Sequence, residues 1–318
     1  MPLLQKLNLS VLRALWASPL PLGWKKSVYK KLCKLQPAPD APFTTSFFGL
    51  QYEGNLNSSI EFSIYYYGAF EKPLLFFLRD FMQNVSSGRD NAAFVDVGAN
   101  IGQHSLFMSQ FAHQVYSFEP YGVVRSRLEH HIALNNLDNI QVHPVGLSSR
   151  NESLPFYAPT GRNQGIGSFD AASLRKGNAS AGTLEVVEGD SYFEAKAVEN
   201  IAVMKIDVEG FERHALEGLQ ATLRRWRPLL VCEITYGAGL SFDSLEELQG
   251  YLPENYDLYT FDTRRADGSK AKRRGSRAKR SGDYRLIPMA SWRESGQDDV
   301  VACPREMLGI LPGLAAKE

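Results

Sequence analysis

The segment from Phe94 to Ser105, FVDVGANIGQHS, constrains the fold more than any other part of the chain. A short apolar run ends in a turn that holds two glycines and an asparagine, which predicts a buried strand, a tight turn and a helix. In open α/β sheets, ligands bind at such carboxyl ends of strands. Gly98 would let the backbone approach a ligand, Asn100 tolerates a left-handed conformation, and Gly102 would open the helix against the strand. We therefore expect a nucleoside-bearing ligand at this turn.

Short apolar runs alternate with helical stretches from Ala92 onward, which indicates a doubly wound, Rossmann-like α/β domain. The predicted strands are Ala93–Val97, Gln114–Phe118, Ile140–Val145, Ala202–Ile206, Leu229–Ile234, Leu258–Phe261 and Val300–Cys303. The predicted helices are Gly102–Phe111, Val123–Asn135, Phe211–Trp226 and Ser244–Leu252. We expect a mainly parallel sheet of seven strands that ends in an antiparallel C-terminal hairpin.

Residues 1–70 are predicted to form an N-terminal cap, and residues 71–318 the main domain. Near-helical spacing predicts one or two amphipathic helices that end at Pro19 and Pro21. Alternation over Thr44–Tyr67 predicts a β-hairpin. The helical spacing comes from Leu3, Leu4, Leu7, Val11, Leu12 and Leu15, and a lysine-rich segment follows with Lys25, Lys26, Lys30, Lys31 and Lys34. Peripheral contact with a membrane surface is therefore open.

The chain carries 35 basic and 35 acidic residues, so no overall field would draw it to nucleic acid or to an anionic membrane. Basic residues nevertheless concentrate in one segment: nine of them, against the single acid Asp267, lie between Arg264 and Arg280. Glycine and serine accompany them, so residues 264–282 are predicted to form a flexible insertion within the final hairpin.

Three cysteines, Cys33, Cys232 and Cys303, lie far apart and show no zinc-site or disulfide spacing. Lys6 and Arg13 interrupt the apolar N-terminal residues, which fits a secretory signal poorly. No stretch reaches the ~20 apolar residues that a membrane span needs. The expected location is the cytoplasm, with contact at the membrane periphery left open. Sequence does not indicate the oligomeric state.

The turn after the first strand has the pattern G-x-N-x-G rather than the G-x-G-x-x-G of dinucleotide-binding proteins. Asp96 at the strand end would repel a pyrophosphate but could receive the cationic amino group of a methionine, directly or through water. The expected ligand is therefore S-adenosylmethionine rather than NAD. Alternatively, Asp96 only caps the turn or the helix.

Glu119 closes the second strand, and a carboxylate at this offset typically accepts the hydroxyls of a ribose. A solvated surface glutamate is the alternative. Two further strands end in acids at the same edge of the predicted sheet: Asp207 and Glu209 after the fourth strand, and Glu233 on the fifth. These three are the candidates for orienting the molecule that accepts the methyl group of S-adenosylmethionine and for removing its proton.

Several simpler roles stay open for these side chains. Carboxylates favour helix N-termini, so Glu209 and Glu212 could be capping residues. His104 and His214 could act as bases, but both lie at predicted helix starts where a polar residue needs no catalytic role. Oxygen ligands from Asp207, Glu209 and Glu233 would suit Mg²⁺, but sequence spacing does not show that they converge. No metal is predicted.

Four segments, in this order, resemble the FkbM family of methyltransferases: Tyr67–Glu71, Phe94–Gly102, Phe118–Pro120 and Lys205–Glu212. The resemblance implies a class I methyltransferase fold, S-adenosylmethionine as donor, and O-methylation of a hydroxyl on a sugar, a glycan or a secondary metabolite. It also implies a place for Glu71 near the amino end of the donor and for Ser168 in the wall of the cleft. It says nothing about the first ~40 residues or about residues 264–280.

Three alternatives remain. The same fold could act on nucleic acid or on an anionic lipid-linked acceptor through the basic segment; no base-flipping segment of the Asn-Pro-Pro-Tyr type is present, so nucleic acid is not the expected acceptor. The chain could instead be a non-catalytic nucleoside-binding protein, against which the intact set of Asp96, Gly98, Gly102, Glu119 and Asp207 argues. An NAD-dependent oxidoreductase is disfavoured by the glycine pattern.

Overall fold

The computed structural model describes residues 11–12, 14–15, 18–35, 41–88, 90–160, 167–237, 239–263 and 272–314, without the side chains of residues 32–35, 176 and 272–274. Its elements are α1 (Leu22–Leu35), β1 (Pro42–Phe47), β2 (Leu50–Asn55), α2 (Ser59–Tyr67), α3 (Lys72–Ser86), β3 (Ala93–Val97), α4 (Gln103–Met108), β4 (Gln114–Phe118), α5 (Gly122–Leu134), β5 (Ile140–His143), β6 (Gly146–Ser148), β7 (Glu152–Pro159), β8 (Asn178–Glu188), α6 (Gly189–Ala195), β9 (Ile201–Ile206), α7 (Glu212–Glu217), α8 (Gln220–Trp226), β10 (Leu229–Tyr236), α9 (Leu245–Gly250), β11 (Tyr256–Phe261), α10 (Lys272–Ser281), β12 (Leu286–Pro288) and β13 (Gly296–Pro304).

The central sheet has eight strands in the order β12-β11-β13-β10-β9-β3-β4-β5. Strands β10, β9, β3, β4 and β5 are parallel, while β13 runs antiparallel between β10 and β11. Since β3 lies between β4 and β9, the strand order reverses at β3, and a crevice opens beside its carboxyl end. The predicted α/β class is confirmed, and the predicted seven strands are one too few because the three-residue β12 is too short to show alternation.

Strands β3 and β9 are buried along their whole length, as expected for strands covered by helices on both faces. Alternate residues point to opposite faces, so Phe94 joins one hydrophobic cluster and Val95 the other. Both clusters are continuous across the parallel strands, and this fixes the strand ends that carry the site. Among the described helices, none has the length and apolar character needed to cross a bilayer.

The N-terminal elements pack on the main sheet's helices. Phe47 and Tyr52 of the β1–β2 hairpin belong to the same hydrophobic cluster as Phe107 of α4. The predicted hairpin over Thr44–Tyr67 is partly wrong, because Ile60–Tyr65 lie in helix α2, where Ser58 accepts a hydrogen bond from the backbone of Glu61. Leu3, Leu4 and Leu7 of the predicted first helix lie outside the described residues. The boundary at residue 70 stays a prediction.

Three other sequence expectations differ from the structure. The predicted helix Phe211–Trp226 is two helices, α7 and α8, which break near Gly218, where a Cβ atom would lie 1.8 Å from the carbonyl oxygen of Ser148. A second sheet, β6-β8-β7, and helix α3 were not predicted. Within the segment predicted to be flexible, residues 272–281 form α10, where Lys72 Nζ donates a hydrogen bond to the carbonyl of Arg280; residues 264–271 lie outside the described residues. Cys232 and Cys303 are buried and free, and the side chain of Cys33 is not described.

Candidate active site

The turn after β3 is held close to two neighbouring elements. Gly98 has φ +81°, and a Cβ atom there would lie 1.9 Å from the carbonyl oxygen of Asp207 at the end of β9. Gly102 has φ +83°, and a Cβ atom there would lie 2.2 Å from Leu128 Cδ1 of α5. Asn100, between them, also adopts a positive φ of 53°. The turn therefore requires small or left-handed residues at the positions where the sequence has them.

Glu119 holds this turn against the end of β4. Its carboxylate accepts hydrogen bonds from the backbone N–H groups of Asn100, at 2.9 Å, and Tyr121, at 2.8 Å. Burial raises the pKa of Glu119 to about 7, and these two hydrogen bonds oppose the rise. Each oxygen keeps a lone pair for a further donor such as a ribose hydroxyl.

Asp96 lies beneath the turn and is fully buried. Its Oδ2 accepts a hydrogen bond from Ser105 Oγ at 2.6 Å, and Ser117 Oγ donates to Ser105 Oγ at 2.8 Å. Its Oδ1 has no hydrogen-bond partner in the described part of the chain. Burial raises the pKa of Asp96, while the charge of Lys205 lowers it.

A cavity of about 300 Å³, which we call the first cavity, opens beside the turn. Its wall brings together six of the residues predicted from the sequence: Glu71, Gly98, Asn100, Asp207, Glu209 and Glu233. The other four, Asp96, Gly102, Glu119 and Ser168, are not among its lining residues. Ser168 Oγ donates a hydrogen bond to the carbonyl of Glu209 at 3.3 Å, so it adjoins the wall from behind.

Asp207, Glu209 and Glu233 converge: each offers an oxygen, and these oxygens all lie within 4.8 Å of one another. Gln297 Nε2 lies 3.1 Å from Glu233 Oε2 and 3.3 Å from Glu209 Oε2. Burial and the charge of Asp207 raise the pKa of Glu209 to about 8 and that of Glu233 to about 12. The same two causes raise the pKa of Asp299, opposite Glu233 on β13, to about 7. The three acids share one site.

Lys205, the cation of this site, was not predicted from the sequence. Lys205 is 2% exposed within β9, and its Nζ donates to Asp207 Oδ2 at 2.9 Å. Burial opposes its charge, but Asp207, Asp96 and Glu71 outweigh it and raise the pKa of Lys205. A lysine in an otherwise apolar buried strand was the available signal, because a buried lysine requires a partner.

The two histidines considered from the sequence differ in position. His104 lines the first cavity, and its Nε2 lies 3.8 Å from Glu71 Oε2 with no hydrogen-bond partner among the described atoms. Burial lowers the pKa of His104 well below its usual value, so the ring is neutral at pH 7. His214 instead pairs with Glu217 at 3.8 Å on α7 and is not among the residues lining this cavity.

A second cavity of about 570 Å³ adjoins the first. The two share Phe70, Glu71 and Gln297 as wall residues. Apolar and aromatic side chains from α2, α3 and β11 line the second cavity, Asp298 and Asp299 lie in its wall, and α10 closes one side with Lys279. Two ligands, one in each cavity, would meet beside the acidic cluster formed by Asp207, Glu209 and Glu233.

Comparisons with known proteins find similar sequences and structures among methyltransferases. Residues 96–259 match the family model "Methyltransferase FkbM domain". The chain is 28% identical over 147 residues to Methyltransferase 1 of Beauveria bassiana, and 29% identical over 171 residues to Methyltransferase sdnD of Sordaria araneosa. These alignments cover 41% and 44% of this chain and 59% and 65% of those proteins, so the chain spans about three fifths of the length of these relatives. The crystal structure of Methyltransferase FkbM from Methylobacillus flagellatus KT is similar with 20% identity, 56% of this chain and 43% of that chain covered, and a TM-score of 0.38.

Proposed function

The chain belongs to the FkbM methyltransferase family, and from this premise we propose that it transfers a methyl group from S-adenosylmethionine to a hydroxyl of a sugar, a glycan or a secondary metabolite. The observation that carries the proposal is the junction of the two cavities at Glu71 and Gln297, where the side chain of Gln297 contacts Glu209 and Glu233 of the first cavity. Group transfer needs two ligands held with their reacting atoms adjacent, and two adjoining cavities offer that arrangement.

The first cavity suits S-adenosylmethionine by its charge. Four acidic side chains, those of Glu71, Asp207, Glu209 and Glu233, lie in its wall together with the cation Lys205. Such a wall attracts the ammonium and sulfonium charges of this donor and repels a pyrophosphate. Gly98 has no side chain, so its backbone forms that part of the wall. Bound there, S-adenosylmethionine would supply an electrophilic methyl group.

We propose the following contacts between the site residues and S-adenosylmethionine. Glu119 would accept the ribose hydroxyls, and Glu71 and Asp207 would face the amino end. Asp96 would interact with the amino group of the donor through its Oδ1 atom, directly or through a water. The backbone at Gly98 and Asn100 would contact the donor directly. Gly102 and Ser168 would act indirectly, since Gly102 packs on α5 and Ser168 contacts the backbone of Glu209. Asp207, Glu209 and Glu233 would orient the acceptor hydroxyl, and an ionised member of the three would receive its proton.

Glu119→Gln is expected to weaken S-adenosylmethionine binding by about 10-fold or more, because an ionised acceptor of charge-assisted hydrogen bonds becomes a neutral amide. The pKa of Glu119 is raised to about 7, so wild-type affinity should fall as the pH is lowered from 8 to 6 and the carboxylate becomes protonated. Isothermal titration across this range measures both effects. A pH slope that is the same in Glu119→Gln and in the wild type would remove Glu119 from the donor site.

Methyl transfer itself is tested with S-adenosylmethionine labelled in its methyl group. The protein is incubated with hydroxylated sugars, glycolipids and polyketide-type alcohols, and mass spectrometry locates the label. An O-methyl ether in one of these classes would support the proposal. Label found only on nitrogen, on carbon or on nucleic acid would contradict the O-methylation part.

A specific observation favours an anionic lipid-linked acceptor within this class. Lys26 of α1 lies 3.9 Å from the ring centroid of Tyr67, and Tyr67 and Lys279 line the second cavity together. Burial and then the charges of Lys30, Arg280 and Lys279 lower the pKa of Lys26, which shows that α1 and α10 bring like charges together. Cations gathered from two distant segments around an aromatic wall would hold the anionic group of an amphipathic acceptor.

Lys279→Glu is therefore expected to weaken binding to vesicles of phosphatidylcholine with phosphatidylglycerol by roughly 30-fold, since each lysine near an anionic surface contributes ~1 kcal/mol and a reversal counts twice. Lys196→Glu, at an exposed lysine that directly follows α6, is the matched control and should change binding little. Equal effects of the two variants, or binding to single-stranded RNA in place of vesicles, would contradict this acceptor class.

A further inference from the structure

If all were ionised, the acids where the two cavities meet would carry more negative charge than their protein neighbours balance. Glu71, Asp207, Glu209, Glu233 and Asp299 line one cavity or the other. Among the described residues lining these cavities, the cations are Lys205 and Lys279. Lys205 is bound to Asp207 at 2.9 Å, and Lys279 belongs to α10. Glu209 and Glu233 therefore lie side by side without a cationic partner in the described wall.

Their oxygens have the spacing of ligands around one ion. One oxygen each from Asp207, Glu209 and Glu233 fits within 4.8 Å. Two oxygens bound to the same ion lie at most twice the metal–oxygen distance apart, which is about 4.2 Å for Mg²⁺ and about 5 Å for Ca²⁺. Side-chain adjustments of under about 1 Å would thus complete a site for either. Carboxylate oxygens are also the donors that these hard cations prefer.

A separate observation points to a missing ligand in the same cavity, which His104 lines together with the three acids. His104 is 93% buried, it is neutral, and its Nε2 faces Glu71 at 3.8 Å without a hydrogen bond in the described structure. A buried ring nitrogen without a partner costs free energy unless a ligand or a water satisfies it. Divalent cations in protein sites commonly keep bound waters, and Mg²⁺ in particular keeps several. A water of that kind would give His104 its partner.

Gln297 bridges Glu209 and Glu233 and adds a possible fourth oxygen. Its side-chain amide lies 3.3 Å and 3.1 Å from the two carboxylates with nitrogen facing them. The oxygen and nitrogen of an amide exchange places by a half-turn of the terminal torsion. With a cation between the two carboxylates, the favoured half-turn directs Oε1 inward as a ligand.

We propose that Asp207, Glu209 and Glu233 bind one divalent cation of the hard, oxygen-preferring class, with Gln297 as a fourth ligand and His104 contacting its bound water. The site lies in the wall of the first cavity, and Gln297 extends it to the second. Its role in binding the acceptor's hydroxyl oxygen rests on the proposed function, but cation binding itself does not.

The test uses Mn²⁺ as the probe and electron paramagnetic resonance as the readout, on the full chain and without S-adenosylmethionine. We expect one saturable Mn²⁺ site per chain, displaced by excess Mg²⁺ or Ca²⁺. Glu209→Gln and Glu233→Gln should each weaken Mn²⁺ binding by at least 10-fold. Glu194→Gln, at an exposed acid of α6, is the matched control and should bind as the wild type does.

A variant that is expected to tighten Mn²⁺ binding distinguishes the loss of a metal ligand from the loss of folding. Gln297→Glu supplies a fourth carboxylate and should tighten Mn²⁺ binding by about 10-fold. The absence of a saturable site in the wild type, or unchanged Mn²⁺ affinity in the Glu209→Gln/Glu233→Gln double variant, would overturn the proposal. A parallel titration with S-adenosylmethionine separates the two proposals: Mn²⁺ binding without donor binding would sink the methyltransferase function and leave the cation site standing.

Discussion

Gly98→Ala should destabilise the protein by about 2–5 kcal/mol and lower its affinity for S-adenosylmethionine by at least 100-fold. The new Cβ atom would lie 1.9 Å from the carbonyl oxygen of Asp207, which is backbone and cannot turn away as a side chain could. A non-glycine residue at φ +81° adds ~1–2 kcal/mol of strain to the overpacking cost of ~1–3 kcal/mol. Relief requires the turn and the end of β9 to separate, which would move the two walls of the first cavity apart. Urea denaturation and isothermal titration measure the two losses.

Gly177→Ala is the matched control for this substitution. Gly177 has a similar positive φ of 98°, but nothing lies within 4 Å of the Cβ atom that alanine would add. It should therefore lose only the strain of ~1–2 kcal/mol and keep its affinity for the donor. Similar stability losses in the two variants would show that the contact between Gly98 and Asp207 does not hold the site together.

Lys205→Met is expected to cost about 3–5 kcal/mol of folding stability, the usual penalty when one partner of a buried charge pair is removed. The side chain of Lys205 is 3% exposed, and its charge acts on Asp207, Asp96 and Glu71 together. Methionine fills a similar volume, so the loss would come from the acids left without their cation rather than from packing. Chemical denaturation at pH 7 measures the change.

Lys196→Met, at an exposed lysine that directly follows α6, is the control and should change stability by less than about 0.5 kcal/mol. A Lys205→Met variant as stable as the wild type would mean that the carboxylates are balanced without Lys205. The account of the site as an acidic cluster held by one buried cation would then be wrong.

The parts of the fold that the sequence predicted best are buried parallel strands between clear turn residues. Strands β3 and β4 have the predicted bounds, because each is a short apolar run that ends at a glycine turn or a proline. Helix α2 was predicted as a strand because its residues Ile60–Tyr65 alternate in polarity. The capping serine before the helix and the glycine after it favour a helix instead. Helix α3 was not predicted, although it carries a broad apolar face.

The site was predictable where its residues follow strands and hidden where distant segments meet. Asp207 and Glu209 follow β9, and Glu233 lies in the adjacent parallel strand β10, so their common edge followed from the sequence, while their convergence to within 4.8 Å did not. Lys205 was hidden inside an apolar strand. Gln297 and Asp299 reach the site from β13, which inserts between β10 and β11 in a way that no local pattern reveals.

The most direct test of the central claim is isothermal titration of the wild-type protein with S-adenosylmethionine, S-adenosylhomocysteine and NAD under identical conditions. We expect the first two to bind at one site per chain and NAD not to bind, because an acidic wall attracts a cationic donor and repels a pyrophosphate. Selective binding of NAD, or binding of none of the three, would contradict it.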